Sequence, residues 1–172
     1  MKAAREAIRH LRAGGVLLIY PSGTLDPDPG CMPGAVQSVE AWSASLELLL
    51  RSEPAARLQV AISSGLVNPN YLHHPLVRMH KDSYRSQIVA EVLQVSSQVL
   101  FRTKHRLLPE ITFGEPYTFE QLTSNNRSAI EGAIEAGRKC LLLNMRMLSQ
   151  SVRPPGDYRS EQTILEDYSA DP

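Results

Sequence analysis

The sequence predicts a layered α/β domain, with helices packed around a small parallel or mixed sheet. Two observations carry this. Three short apolar runs (residues 16–20, 58–63 and 110–113) each end in a turn of small residues. Around them, apolar residues recur at helical spacing, giving the order α-β-α-β-α-β-α. At 172 residues the chain is long enough for one domain, burying roughly 70% of its unfolded surface.

Residues 2–13 read as a helix. Ala4, Ala7, Ile8 and Leu11 share one face, and Gly14-Gly15 stops it. Residues 16–20 (Val-Leu-Leu-Ile-Tyr) are wholly apolar, as in a strand covered on both sides. Residues 21–33 form a loop, because prolines 21, 27, 29 and 33 and glycines 23 and 30 prevent regular structure. Pro33 suits the first turn of a helix, where its missing N–H is not needed. Val39, Trp42, Leu46 and Leu49 then give that helix an apolar stripe.

Residues 58–63 form the second expected strand, closed by Ser64-Gly65, with Asn68-Pro69-Asn70 continuing as loop. Residues 84–101 form the next helix, with Ile88, Val92, Val95 and Val99 as its apolar row. Residues 110–113 form the third strand, ended by Gly114-Glu115-Pro116. Thr118-Phe119-Glu120-Gln121 fits a capping box. A long helix is expected from about Asn126 to Leu148, with Ile130, Ile134, Leu141, Met145 and Leu148 facing inward. The domain is therefore residues 1–150, and 151–172 read as an acidic, disordered tail. Three strands are few for so many helices, which points to an N-terminal portion missing from the sequence.

Composition narrows the functions. Lys+Arg and Asp+Glu both number 18, and this balance argues against a nucleic-acid partner. Charge is uneven along the chain. Residues 71–106 carry Arg78, Lys81, Arg85, Arg102, Lys104 and Arg106 against only Asp82 and Glu91. The same stretch holds four of the five histidines; such a patch suits an anionic lipid surface or a phosphorylated substrate. Cys31 and Cys140 stand apart without metal-ligand spacing, so reduced thiols and a cytoplasmic location are expected. No apolar stretch reaches the ~18–20 residues a bilayer span needs.

The run Gly14-Gly15-Val16-Leu17-Leu18-Ile19-Tyr20-Pro21-Ser22-Gly23-Thr24 resembles the glycerophospholipid (lysophospholipid) acyltransferase family. Members have a helix, a glycine turn and an apolar strand ending in F-P-E-G-T-R-S; here the corresponding residues read Tyr20-Pro21-Ser22-Gly23-Thr24-Leu25-Asp26. Residues 58–65 are similar to the family's following strand, and residues 111–116 to its closing strand and F-G-x-P turn. The resemblance implies a partial glycerol-phosphate acyltransferase-like domain. It implies transfer of a fatty acyl group from a coenzyme A or acyl carrier protein thioester to a lipid hydroxyl acceptor, in phospholipid biosynthesis or remodelling. It implies no further cofactor or metal. The substrate-binding positions are then Pro21, Ser22, Gly23, Thr24, Ser64 and Gly65, and contact with the inner membrane face is peripheral.

The family's general base lies in an H-x-x-x-x-D motif upstream of this loop. None of the five histidines here is followed five places on by Asp: His10 leads to Gly15, and His105 to Glu110. Ser22 and Leu25 also replace the family's Glu and Arg. No catalytic residue is therefore assigned, and the chain alone is expected to be inactive. His73 and His74 read as exposed loop residues. Two rival readings remain. One is a non-catalytic lipid-binding or interaction module of the same fold. The other is a serine hydrolase with Ser22 or Ser64 as nucleophile, although neither has the G-x-S-x-G elbow.

Overall fold

The computed structural model of the protein describes residues 2–104 and 107–150. The expected acidic tail and His105 lie outside the described residues. Helix α1 (Lys2–Arg12) ends at Gly14, whose φ of 79° needs glycine. Two short helices follow, α2 (Ala35–Glu40) and α3 (Ser45–Ser52). Strand β1 (Leu58–Ser64) leads to a 3-10 turn (Pro69–His73), α4 (Pro75–Arg78) and the long α5 (Ser83–Phe101). Strand β2 (Glu110–Tyr117), α6 (Phe119–Leu122) and α7 (Ala129–Gln150) complete the described chain.

The mixed α/β class holds, but the sheet is corrected: β1 and β2 pair antiparallel, not parallel. Ser64 pairs with Glu110 and Leu58 with Tyr117, so the chain leaves and re-enters the sheet at one end. Residues 65–109, α5 included, are an excursion from that end rather than a crossover over a sheet face. β2 also runs past its expected stop. Gly114-Glu115-Pro116 lies within it, at a register shift opposite residues 59–61. A bulge tolerates a proline that cannot donate to the ladder.

The first expected strand is not one. Residues 16–20 have no regular secondary structure and pair with no strand among the described residues. Leu17 and Ile19 are half-buried, while Val16, Leu18 and Tyr20 are 89%, 78% and 73% exposed. Ile19 packs on the cluster of Leu46, Leu50 and Leu122. An apolar run carries the propensity for a strand, but strand structure also needs a neighbour to complete its hydrogen bonds.

The stripe expected of one helix from Pro33 is split over two. Ser43 N–H donates to the Pro21 carbonyl (2.9 Å), and the Ser43 hydroxyl accepts from Ser45 N–H (3.2 Å). These bonds take the chain out of the helix between α2 and α3.

Helix α7 lies across the β1–β2 pair through small residues. Ala129, Gly132, Ala133, Ala136, Gly137 and Cys140 are buried, as are Leu141, Met145 and Leu148. Ile130 and Ile134 sit half-buried at the margin of this seam rather than at its centre. A Cβ on Gly132 would lie 2.1 Å from the Leu122 carbonyl oxygen, and one on Gly137 2.6 Å from Val39. The glycines therefore set how closely α6 and α2 approach.

Candidate functional site

Residues 20–24 form a tight turn. Gly23 N–H donates to the Tyr20 carbonyl (3.0 Å), and Gly23 has φ of 71°. The Ser22 hydroxyl lies 3.1 Å from the Thr24 carbonyl oxygen, to which it donates. Pro21 and Ser22 are half-buried; Gly23 and Thr24 face solvent. Leu25 is exposed.

The loop opened by this turn runs back to the end of β1, and Asp28 fixes it there. The buried Asp28 carboxylate accepts four backbone N–H bonds: Gly30 (2.9 Å), Gly65 (3.2 Å), Leu66 (2.8 Å) and Val67 (3.1 Å). Asp28 N–H in turn donates to Gln87 Oε1 (2.9 Å). A carboxylate accepting several amide bonds is stabilised without a cation, because aligned N–H dipoles supply the positive potential. Gly65, with φ of 72°, presents its amide to this carboxylate; a Cβ there would meet the Leu108 carbonyl at 2.3 Å.

Ser64 does not offer its side chain to this region. It is fully buried, and Asn144 Nδ2 donates to its hydroxyl (3.0 Å) and to that of Thr112 (3.0 Å). Asn144 Oδ1 has no hydrogen-bond partner among the described residues. Ser64 is thus a core residue tying α7 to the sheet, its hydroxyl turned away from solvent. The structure ties Gly65 to the loop that begins at Pro21, through Asp28, while Ser64 belongs to the opposite, α7-covered side.

Sequence reasoning passed over Asp28, Gln87, Gln94 and Asn144. Only Asp28 carried a local signal: Asp-Pro-Gly is a turn sequence in which the Asp side chain accepts from an amide two residues on. His10 is held by its own turn, with Nε2 3.1 Å from the Val16 carbonyl oxygen, and its ring packs where a Gly15 side chain would be. His73 and His74 are exposed, as expected; His74 Nδ1 caps α4 by accepting from Leu76 N–H (3.3 Å).

Both cysteines are buried. Burial pushes the Cys140 thiol up from its ordinary value, so it resists ionisation. Among the described residues, no group of three His, Cys, Asp or Glu side chains is arranged to hold a metal ion.

An open depression of about 590 Å³ lies elsewhere, lined by Glu40, Arg127, Glu131, Glu135, Arg138 and Lys139. Its charges pair with one another: Arg138 with Glu40, Arg127 with Glu135, and Lys139 with Glu135 at 2.6 Å. It includes none of the sequence-derived site residues, and its internally matched, solvated charges give no focus for a ligand.

Comparison with family models, with curated proteins and with solved structures finds no match.

Proposed function

We propose that this chain is the later part of a lipid acyltransferase domain, with residues 21–24 and Gly65 on the acceptor side of the site. The observation that carries the reading is the order of the motifs. A glycine turn, an apolar run, Tyr-Pro-Ser-Gly-Thr, the apolar segment at 58–63 and a Phe-Gly-Glu-Pro segment succeed one another at the family's spacing. The Asp28 carboxylate supports it physically, by linking the loop after the first motif to the turn after the second. The turn at 21–24 suits a polar acceptor, since the exposed Thr24 presents a hydroxyl beside the open backbone of Gly23. The thioester, from coenzyme A or an acyl carrier protein, is the co-substrate.

The reading needs an H-x-x-x-x-D base that these 172 residues do not contain. Removing a general base costs ~10²–10⁴-fold in rate, so no turnover is expected from this chain alone. The membrane contact proposed here is peripheral: among the described residues, no helix is long and apolar enough to cross a membrane. The serine hydrolase reading is weaker. Ser22 is engaged within its own turn and Ser64 is buried against Asn144.

The test has two arms. The coding sequence upstream of Met1 is expected to run on in frame and to encode H-x-x-x-x-D; an in-frame stop directly upstream overturns the reading. Purified chain is expected to release no thiol from acyl-coenzyme A in the presence of lysophospholipid acceptors. Release that is abolished by changing one of the chain's own residues also overturns it.

A further inference from the structure

Helix α5 meets the core cluster of Cys31, Met32, Val67 and Val77 through Val89, Ala90 and Leu93, yet it also buries glutamines and exposes valines. Its buried side carries Gln87, Ala90 and Gln94, while Val92, Val95 and Val99 are 57%, 53% and 72% exposed. The glutamines have a reason to face inward. Gln94 accepts from Asn68 N–H (2.8 Å) and donates to the Leu66 carbonyl (3.2 Å), and Gln87 accepts from Asp28 N–H. They satisfy loop backbone that would otherwise be buried without partners. The valines have no such reason to face outward. With the half-buried Ile88 they make a row spaced 4, 3 and 4 residues apart, roughly 120° around the helix from the glutamines. Leu100 and Phe101 extend the apolar surface at the end of the helix, and Leu76 and Met79 lie exposed on and just after α4.

The charges around this row are mostly positive. Arg85 precedes it on the same face, seven residues before Val92, and Arg102 and Lys104 follow it. Arg78 and Lys81 are exposed just before α5, and no ion pair holds any of these five cations among the described residues. The two nearby acids are turned to structural tasks. Asp82 caps α5 by accepting from Arg85 N–H (3.3 Å), and Glu91 accepts from Gln87 Nε2 (2.9 Å).

We propose that the outward face of α5, the row Ile88, Val92, Val95 and Val99 with Arg85, Arg102 and Lys104 at its ends, docks on an anionic lipid bilayer. An aliphatic strip lying in the headgroup boundary with cations beside it is the physical form of an interfacial helix. The charge pattern decides against the main competitor, a second copy of the chain. With cations at both ends of the row, parallel and antiparallel pairing alike set positive charge against positive charge. The row also covers fewer than two heptads, too short to hold a helix pair by itself. An anionic surface meets both ends favourably. The proposal gives a surface to the peripheral contact of the preceding subsection and rests on that reading, but not on acyl transfer, since vesicle binding succeeds or fails whatever the turnover assay shows.

The experiment is co-sedimentation of the 172-residue chain with phosphatidylcholine vesicles and with vesicles containing phosphatidylserine, at low and high salt. Binding is expected only to the phosphatidylserine vesicles, and high salt should release it. Val95→Gln/Val99→Gln and Arg102→Glu/Lys104→Glu should each weaken it. At about fivefold per cation removed, the charge pair should lose about twentyfold or more. Arg57→Glu, an exposed cation outside the patch, should leave binding unchanged. Circular dichroism and urea midpoints check that the variants fold; if the valine pair does not, the charge pair carries the test. Failure of the wild type to bind overturns the proposal, as does equal loss in Arg57→Glu or equal binding by all variants. A solution dimer that Val95→Gln/Val99→Gln dissociates also overturns it, and assigns the face to a second copy.

Discussion

Asp28 does more to position the candidate site than any residue in the motifs that announce it. Its two carboxylate oxygens share four backbone donors from two segments, 30 and 65–67. Asn at this position keeps one acceptor and turns an NH₂ group toward amides that need an acceptor. Hydrogen bonds to a charged partner contribute about 1.5–3 kcal/mol each, and an unsatisfied buried donor costs about 1–3 kcal/mol. Asp28→Asn is therefore expected to destabilise the fold by about 3 kcal/mol, read as a lowered urea midpoint with unchanged slope. A midpoint equal to wild type would show that water or loop relaxation replaces the carboxylate. The candidate residues divide at the same scale: Ser22, Gly23, Thr24 and Gly65 belong to turns, whereas Ser64 is core.

Among the elements, α7 shows how a local cap and a long-range seam act together. Ser128 and Glu131 form its capping box. Glu131 Oε2 accepts from Ser128 N–H (2.7 Å), and Glu131 N–H donates to the Ser128 hydroxyl (3.3 Å). The Ser128 backbone bond, then the Ser128 hydroxyl, hold the Glu131 carboxyl below its ordinary 4.5. A carboxyl depressed in the folded state adds stability above its unfolded value and loses it as pH falls through the folded value. Ser128→Ala should cost about 1 kcal/mol at neutral pH, and the pairing with Glu131 should fade as pH falls through that carboxyl's folded value, which lies below 4.5. Urea melts at neutral and acid pH check this; a pH-independent cost would detach the cap from the carboxylate. The sequence reading missed this cap and began the helix at about Asn126, but other limits were legible where the signal is local. The ends of α1, the span of β1, the extent of α5 and the Thr118–Gln121 box all follow from caps, glycines and periodicity. Which face of α5 is buried was not legible, because its glutamines answer to loop amides at Asp28 and Asn68, far away in sequence.

For the whole molecule, the pairing of strands was the part that sequence could not supply. Residues 16–20 look like a sheet interior by composition, yet pairing is a property of two segments, and a single segment's pattern does not name its partner. Unpaired among the described residues, they leave Val16, Leu18 and Tyr20 exposed, as are Ile111 and Phe113 on the side of β2 away from α7. An apolar edge is a template for further strands, and natural proteins guard such edges with charge. In this chain no charge interrupts residues 16–20. Leu18→Lys places one at a side chain that already faces solvent, so it removes no packing and should change stability by no more than about 0.5 kcal/mol. It should also raise the protein concentration at which light scattering first appears on gentle heating. If Leu18→Lys instead unfolds the protein, Leu18 is covered in solution. If it folds normally but scatters at the wild-type concentration, association runs through another surface, and the valine row of α5 is the next to be changed.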